Sequence, residues 1–350
     1  MLRRRFSIIV FASTALLQAQ WTGSGSTGAD GALNLTTPGI VVFDPRSFDS
    51  PLKSSDENIY NFTSIYVGKG VTVKLSSQKL RGPVFWLAQG PVIIEGSIDV
   101  NGSDGEVRLP SIPGAGGFPG GAPSKAAYRP GSFEPNVFLV PLAGGFGGDG
   151  GETGGGGAGG GAILIASSTS ITINGSIAAN GGASTRGIGG DGGAIRLVAP
   201  TIEGSGSLSA RGGQPEGLDG LVRFEATNNQ FAGSLNNTPS AQGKPFGLFL
   251  PSTQPSVRIV SIAVNAPAVP SNRGTPSTSV LVEAHFIPLG TTLELVVYAG
   301  DGTSQSVMTT PLTGSLESSR ATATVTPRTG SGMPIVRVEW KPPQTDRLSK

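Results

Sequence analysis

The sequence predicts an all-β chain: a stack of short parallel strands (a parallel β-helix, or solenoid) followed by a small β-sandwich. Three observations carry that reading. A unit recurs four times with its apolar positions in register. No segment between the recurrences has helical periodicity. From about residue 255 the pattern changes to longer alternating runs separated by Pro, Gly and Ser.

The recurring unit opens on Gly82-Pro83-Val84-Phe85-Trp86, Gly161-Ala162-Ile163-Leu164-Ile165, Gly193-Ala194-Ile195-Arg196-Leu197 and Gly220-Leu221-Val222-Arg223-Phe224. Each leads to a Gly-Ser pair at Gly96, Gly175, Gly206 and Gly233, at offsets of 14, 14, 13 and 13 residues. Alternation with period two means strands. The third and fifth columns (Val84, Ile163, Ile195, Val222 and Trp86, Ile165, Leu197, Phe224) face inward, as does the column Ile98, Ile177, Leu208, Leu235. Ile165 and Leu197 are therefore expected as stacked core residues. The column between them, Phe85, Leu164, Arg196 and Arg223, faces outward, and its two arginines suit a wet face. A unit that repeats its inward residues cannot bury them alone and stacks on its neighbours. Asn101-Gly102, Asn180-Gly181 and Arg211-Gly212 fall at equivalent corners, where a left-handed residue is expected. The rival local reading is a set of hairpins, for which Asn174-Gly175 is a good turn; Glu95-Gly96 and Ala232-Gly233 are poor ones.

Upstream, Tyr60–Val67 and Val71–Leu75 read as an opening coil, with residues 21–58 as a cap over the end of the stack. Between the first two repeats lies an insertion, 103–160. Thirteen of the 18 residues from Gly144 to Gly161 are Gly, and Pro110, Pro113, Pro119, Pro123, Pro130 and Pro135 stud its first half. Such a stretch cannot offset its own backbone entropy. It either lies against the stack or moves freely. Phe85 and Leu164, apolar in the outward column and flanking the insertion, favour its folding back over that face.

After the linker Leu250–Pro255, the runs Val257–Asn265, Ser279–Ile287, Thr291–Ala299, Gln305–Thr310, Arg320–Thr326 and Ile335–Lys341 have the spacing of a sandwich. The expected organisation is an export signal over 1–19, the stack with its cap and insertion over 20–250, and the sandwich over 255–345. The N-terminus supports the first: Arg3-Arg4-Arg5, an apolar stretch Phe6–Leu17, and Ala19 before a cleavage point. Arg3–Phe6 also resembles a twin-arginine signal, and the choice of export route stays open. No other apolar run reaches the ~18 residues of a membrane helix, so the mature chain is not expected to span a membrane.

Composition excludes several functions. The chain has no Cys and one His, His285, so thiolate chemistry, disulfides and multi-histidine metal sites are ruled out. With 25 Lys and Arg against 23 Asp and Glu among 350 residues, the net charge is +2, and no basic field exists for nucleic acid. Charged residues make up 14%, against about 25% in an average domain.

Ser26–Gly31, Tyr60–Thr63, the Gly-Ser-Ile-Asp-Val-Asn-Gly stretch 96–102 and the Gly-Gly-Asp-Gly-Gly runs resemble a group of secreted, glycine-rich bacterial proteins over roughly residues 24–245. The resemblance implies a right-handed parallel β-helix similar to pectin-lyase-like folds. Ile287–Thr292 and Ala321–Val325 look like the immunoglobulin-like modules attached to some of these proteins.

Pectin-lyase-like folds host polysaccharide lyases and glycoside hydrolases, which need paired carboxylates, or a base with charge neutralisation. The carboxylates here do not fall in one column, and no His precedes residue 285 to supply the Gly-His-Gly element of pectin hydrolases. The nearest approach to a ligand site is Asp99, Asp191 and Asp219 with Arg186 and Arg211. For a metal, Gly144–Asp149 matches the start of a Ca²⁺-binding nonapeptide, and Asp149 and Glu152 are the candidate ligands for Ca²⁺; no other cofactor is expected. The function expected is an exported structural or binding protein, adhesin-like or of a matrix, at the surface of a bacterium or outside it. Its partners would be polysaccharide or cell-surface components. The alternative is a secreted carbohydrate-active enzyme on the same fold.

Overall fold

The structure is a computed structural model. It describes residues 21–47, 58–80, 82–106, 111–127, 136–251, 256–265, 277–285, 287, 289–298, 304–325, 335–339 and 347–349. The expected export signal, part of the N-terminal cap and Pro110, Pro130 and Pro135 lie outside the described residues. Among the described residues the chain is all-β, with no helix long and apolar enough to cross a membrane.

The first strands are β1 (Ala32–Leu35), β2 (Gly39–Val42), β3 (Ile59–Phe62), β4 (Ser64–Val67), β5 (Val71–Lys74), β6 (Val84–Ala88), β7 (Val92–Ile94) and β8 (Ser97–Asp99). Then come β9 (Ala162–Ser167), β10 (Ser170–Ile173), β11 (Ser176–Ala178), β12 (Ala194–Gly204), β13 (Ser207–Ser209), β14 (Leu221–Phe231) and β15 (Ser240–Gly243). All pair in parallel, in three runs. One run is β3, β6, β9, β12, β14, β15. A second is β1, β4, β7, β10 and the later halves of β12 and β14. The third is β2, β5, β8, β11, β13. Asn174-Gly175 is not a hairpin turn, because β10 and β11 on either side of it belong to different runs.

The expected inward columns are register partners. Val84 pairs Ile163, which pairs Ile195, which pairs Val222; Trp86, Ile165, Leu197 and Phe224 follow the same order. All eight are buried in one core with Ile98, Ile177 and Leu208. Each inward side chain contributes about 1.5–3 kcal/mol relative to exposure. Leu235, expected in the same column, is partly buried against that core. The glycines of the Gly-Ser pairs stack on one another: a Cβ on Gly175 would lie 1.8 Å from the Gly96 carbonyl oxygen, and one on Gly206 would lie 2.1 Å from that of Gly175.

The corners correct one expectation. None of Asn101, Gly102, Asn180, Gly181, Arg211 and Gly212 has a left-handed φ. Glycine is needed there for a different reason: a Cβ on Gly102 would sit 2.3 Å from the Ala158 carbonyl, and one on Gly181 2.0 Å from that of Gly190. Backbone is pressed on backbone.

At Gly102 that pressure comes from the insertion, and at Gly181 from Gly190 of its own loop. Residues 155–162 donate backbone hydrogen bonds with a period of three. Gly155, Ala158 and Gly161 donate to Glu106, Ser103 and Val100; Gly156, Gly159 and Ala162 to Gly121, Phe118 and Ala115; Gly157 and Gly160 to Ile188 and Asp191. A chain whose N–H groups point outward in three directions in turn has the threefold periodicity of polyproline II, which makes no internal hydrogen bonds. No glycine from 144 to 193 has a left-handed φ, consistent with that form. The segment 155–161 thus runs through the middle of a bundle of extended segments and lies fully buried. Of the two readings left open, the described parts of the insertion lie against the stack.

The remaining strands are β16 (Ser256–Asn265), β17 (Ser277–His285), β18 (Glu294–Tyr298), β19 (Ser304–Met308), β20 (Thr313–Gly314), β21 (Ser319–Val325), β22 (Ile335–Glu339) and β23 (Arg347–Ser349). β16, β17, β21 and β20 form one antiparallel sheet, and β19, β18 and β22 another. Their own core holds Val280, Val282, Leu293, Leu295 and Leu312. β23 returns to pair antiparallel with β15.

Candidate functional site

The outward column holds the largest departure from the sequence reading. Arg196 and Arg223, expected on a wet face, are buried at 1% and 0% exposure. Glu225, at 0%, lies between them. Arg196 donates to it through Nε at 2.8 Å and Nη2 at 3.1 Å, and Arg223 through Nε at 2.7 Å. Two stretches of irregular chain close over this node. From the chain just before the linker, Gly247 and Leu248 carbonyls accept from Arg196. From the insertion, the Val137 carbonyl accepts from Arg223 at 2.8 Å. Phe138 and Phe246 lie under the guanidinium groups at 5.0–5.4 Å. The arginines are buried because carbonyls, a carboxylate and ring faces replace their water. The spacing held a clue: Arg223 and Glu225, two residues apart on one strand, share a face.

The same two stretches cover Phe85 and Leu164. Those residues are buried with Leu87, Ala166 and Val198 beneath Leu139 and Leu142 of the insertion, and Leu248, Leu250 and Trp21 pack against them. The insertion does cover this face, but through its leucines; its glycines are spent on the threefold bundle.

The five residues expected to form a ligand site fall in three places. Asp99 Oδ1 accepts the N–H of Asn101 at 2.9 Å. Asp191 and Asp219 share one corner with Arg211: Asp191 accepts from the Leu218 N–H and Asp219 from the Gly212 N–H, each at 2.9 Å, while the Arg211 N–H donates to Asn180 Oδ1 at 2.8 Å. Arg186 lies elsewhere, exposed at the far end of the bundle. The proposed calcium ligands are near that end too. Asp149 Oδ1 accepts the Ala127 N–H at 2.8 Å, and Glu152 is exposed. Among the described residues no group of three or more acidic or His side chains is gathered where it would hold a metal.

The far end of the bundle is a cluster of turns. Ser124 N–H bonds the Gly151 carbonyl at 2.8 Å; Gly155 bonds Glu106 at 2.7 Å; Ser184 Oγ donates to the Gly155 carbonyl at 2.9 Å, and its N–H to that of Gln214 at 2.8 Å. Asp104 Oδ1 accepts from Ala183 at 2.7 Å. Ser124 and Glu216 there have φ of 59° and 67°, values that cost a side-chain-bearing residue energy. Glu106, Lys125, Glu152, Arg186 and Glu216 stand exposed around them. Turns held by a rigid scaffold are the usual place for recognition.

A second surface lies along the stacked Gly-Ser pairs, an open trough of about 570 Å³. Thr72, Ser97, Ser176, Ser207 and Ser234 line it, and Ser176 bonds Ser97 at 2.9 Å. Glu95 stands on its rim and accepts the Tyr66 hydroxyl at 2.7 Å, a bond that raises the Tyr66 hydroxyl above the usual phenol range. Sequence reasoning missed this pair, which joins two separate outward positions of neighbouring turns.

Compared with known protein families, characterised proteins and solved structures, the chain matches none.

Proposed function

We propose that this chain is an exported bacterial structural or binding protein: a right-handed parallel β-helix carrying an immunoglobulin-like sandwich, which recognises polysaccharide or another cell-surface or matrix component. The observation that supports it best is the cluster of turns at the end of the bundle, which a scaffold of backbone hydrogen bonds holds in fixed relation. The aspartates weighed as chemical groups (Asp99, Asp149, Asp191, Asp219) each accept a backbone N–H, a positional role. The hydroxyl-lined trough offers a second face to an extended polymer.

One observation favours the alternative, a carbohydrate-active enzyme. Glu95 on the rim of the trough is oriented by Tyr66, as a working carboxylate would be. One experiment separates the two. The full chain and its Arg186→Ala and Glu95→Gln variants are screened on a glycan array and for turnover of the same polysaccharides. Retention without turnover, weakened by Arg186→Ala, is expected. Release of reducing ends or unsaturated products, lost in Glu95→Gln, would overturn the binding reading in favour of the enzyme.

A further inference from the structure

The buried node joins two stretches that are more than a hundred residues apart in sequence. The stretch that runs into the linker, Phe246–Leu250 (the linker stretch), is half-buried, makes no strand pairing, and precedes the second set of sheets in the chain. The insertion stretch, 136–142, leads into the Gly-rich segment that begins at Gly144. Each contains one bulky residue in the left-handed region: Phe249 at φ 50° and Leu139 at φ 51°. Large side chains persist there only where their surroundings over-determine them, and such residues collect at clamps and switches. Beyond the shared node, the two stretches touch through Phe138 and Phe246, edge to face at 5.8 Å.

We propose that the two stretches form a single latch, gated by Arg196, Glu225 and Arg223, that opens and closes as a unit. The node makes the coupling. Arg196 donates hydrogen bonds to the linker stretch at the Gly247 and Leu248 carbonyls, and Arg223 donates one to the insertion stretch at the Val137 carbonyl. Both arginines share the single carboxylate of Glu225, and Phe246 lies against both. Lifting the linker stretch takes two carbonyls from Arg196 and the Phe246 ring from both arginines; lifting the insertion stretch takes the Val137 carbonyl and the Phe138 ring from Arg223, whose carboxylate partner Arg196 shares. A buried charge without its partners is costly, so a half-open latch is disfavoured against both the closed and the open one. The strain at Phe249 and Leu139 is released only on opening, which brings the two states closer. Through this latch, displacement of the linker stretch would loosen the start of the chain segment that runs on to Glu152.

The test is hydrogen exchange on the full chain, read by peptide. In the unaltered protein, residues 244–251 and 136–142 should exchange at one common rate, faster than β9 and β12. Arg196→Lys keeps the charge but loses the forked bonds to the linker. It should speed exchange about tenfold in both stretches, although Arg196 has no bond to 136–142, since a hydrogen bond to a charged group is among the stronger ones. Acceleration confined to 244–251 overturns the proposal. Should Arg196→Lys raise exchange throughout the strands, Leu250→Ala gives the same reading. It leaves the node whole and removes only packing by the linker, and 136–142 must still loosen with 244–251. If it does not, the stretches are independent and the latch does not exist.

Discussion

Ile165 and Leu197 occupy adjacent positions in one buried column, and a charge placed there has no partner to meet it. Ile165→Asp should remove cooperative thermal unfolding of the parallel strands altogether; a melting temperature within a degree or two of the parent would mean that the column does not carry the core. Glu225 makes a sharper case. Its removal leaves two guanidinium groups facing each other without water. Glu225→Gln is expected to cost about 3–5 kcal/mol, measured by denaturant unfolding. A loss under 1 kcal/mol would show that the carbonyls and ring faces alone satisfy both arginines. In the antiparallel sheets, Glu283 sits between Arg258 and Arg320, its register partners on either side. The hydrogen bond from Arg258, then that from Arg320, holds its carboxyl below the usual glutamate range. A depressed value in the folded state means stability that is present above the unfolded-state pKa of about 4.3 and lost as the pH falls through the folded one. The stability difference between the parent and Glu283→Gln should therefore be constant near neutrality and shrink below about pH 4.3. A difference that grows on acidification would reverse the sign of this argument.

At the scale of elements, the strands were legible and the bundle was not. The columns Val84–Val222 and Trp86–Phe224 could be read because side chains alternate with period two and the same residue types return each turn. Hydrophobic pattern carries no such signal for residues 144–161, where the residues that matter have no side chain. Their order comes from N–H groups meeting carbonyls of distant segments, and only the count of glycines hinted at it. The same limit hid the latch. The arginines of the outward column looked solvated because nothing local shows that chain from 137 and from 247 will fold over them. Glycine in the bundle is a requirement of space. A Cβ on Gly160 would stand 2.0 Å from the Ala179 carbonyl oxygen. Gly160→Ala should destabilise the protein by about 1–3 kcal/mol or more, as overpacking does, although alanine extends as readily as glycine. Unchanged stability in urea would mean that the segments have room to part.

For the whole molecule, the candidate site was legible only in pieces. Arg186, Asp149 and Glu152 do come to one end of the bundle, and Asp191, Asp219 and Arg211 share one corner, but Asp99 lies apart from both groups. With the aspartates bonded to backbone N–H groups, folding is expected to need no ion. A chelator should leave the melting temperature unchanged; a fall of several degrees that Ca²⁺ reverses would restore Asp149 as a ligand. The threefold bundle has a last consequence, in optics. Polyproline II is also the commonest local form of an unfolded chain. Circular dichroism in the far ultraviolet would therefore count the segments around 155–161 as unordered, and the spectrum would show too little regular structure for a chain this well packed. Their amide protons would tell the opposite story, protected as long as those of the strands, so that two routine measurements on one sample should disagree about the same residues.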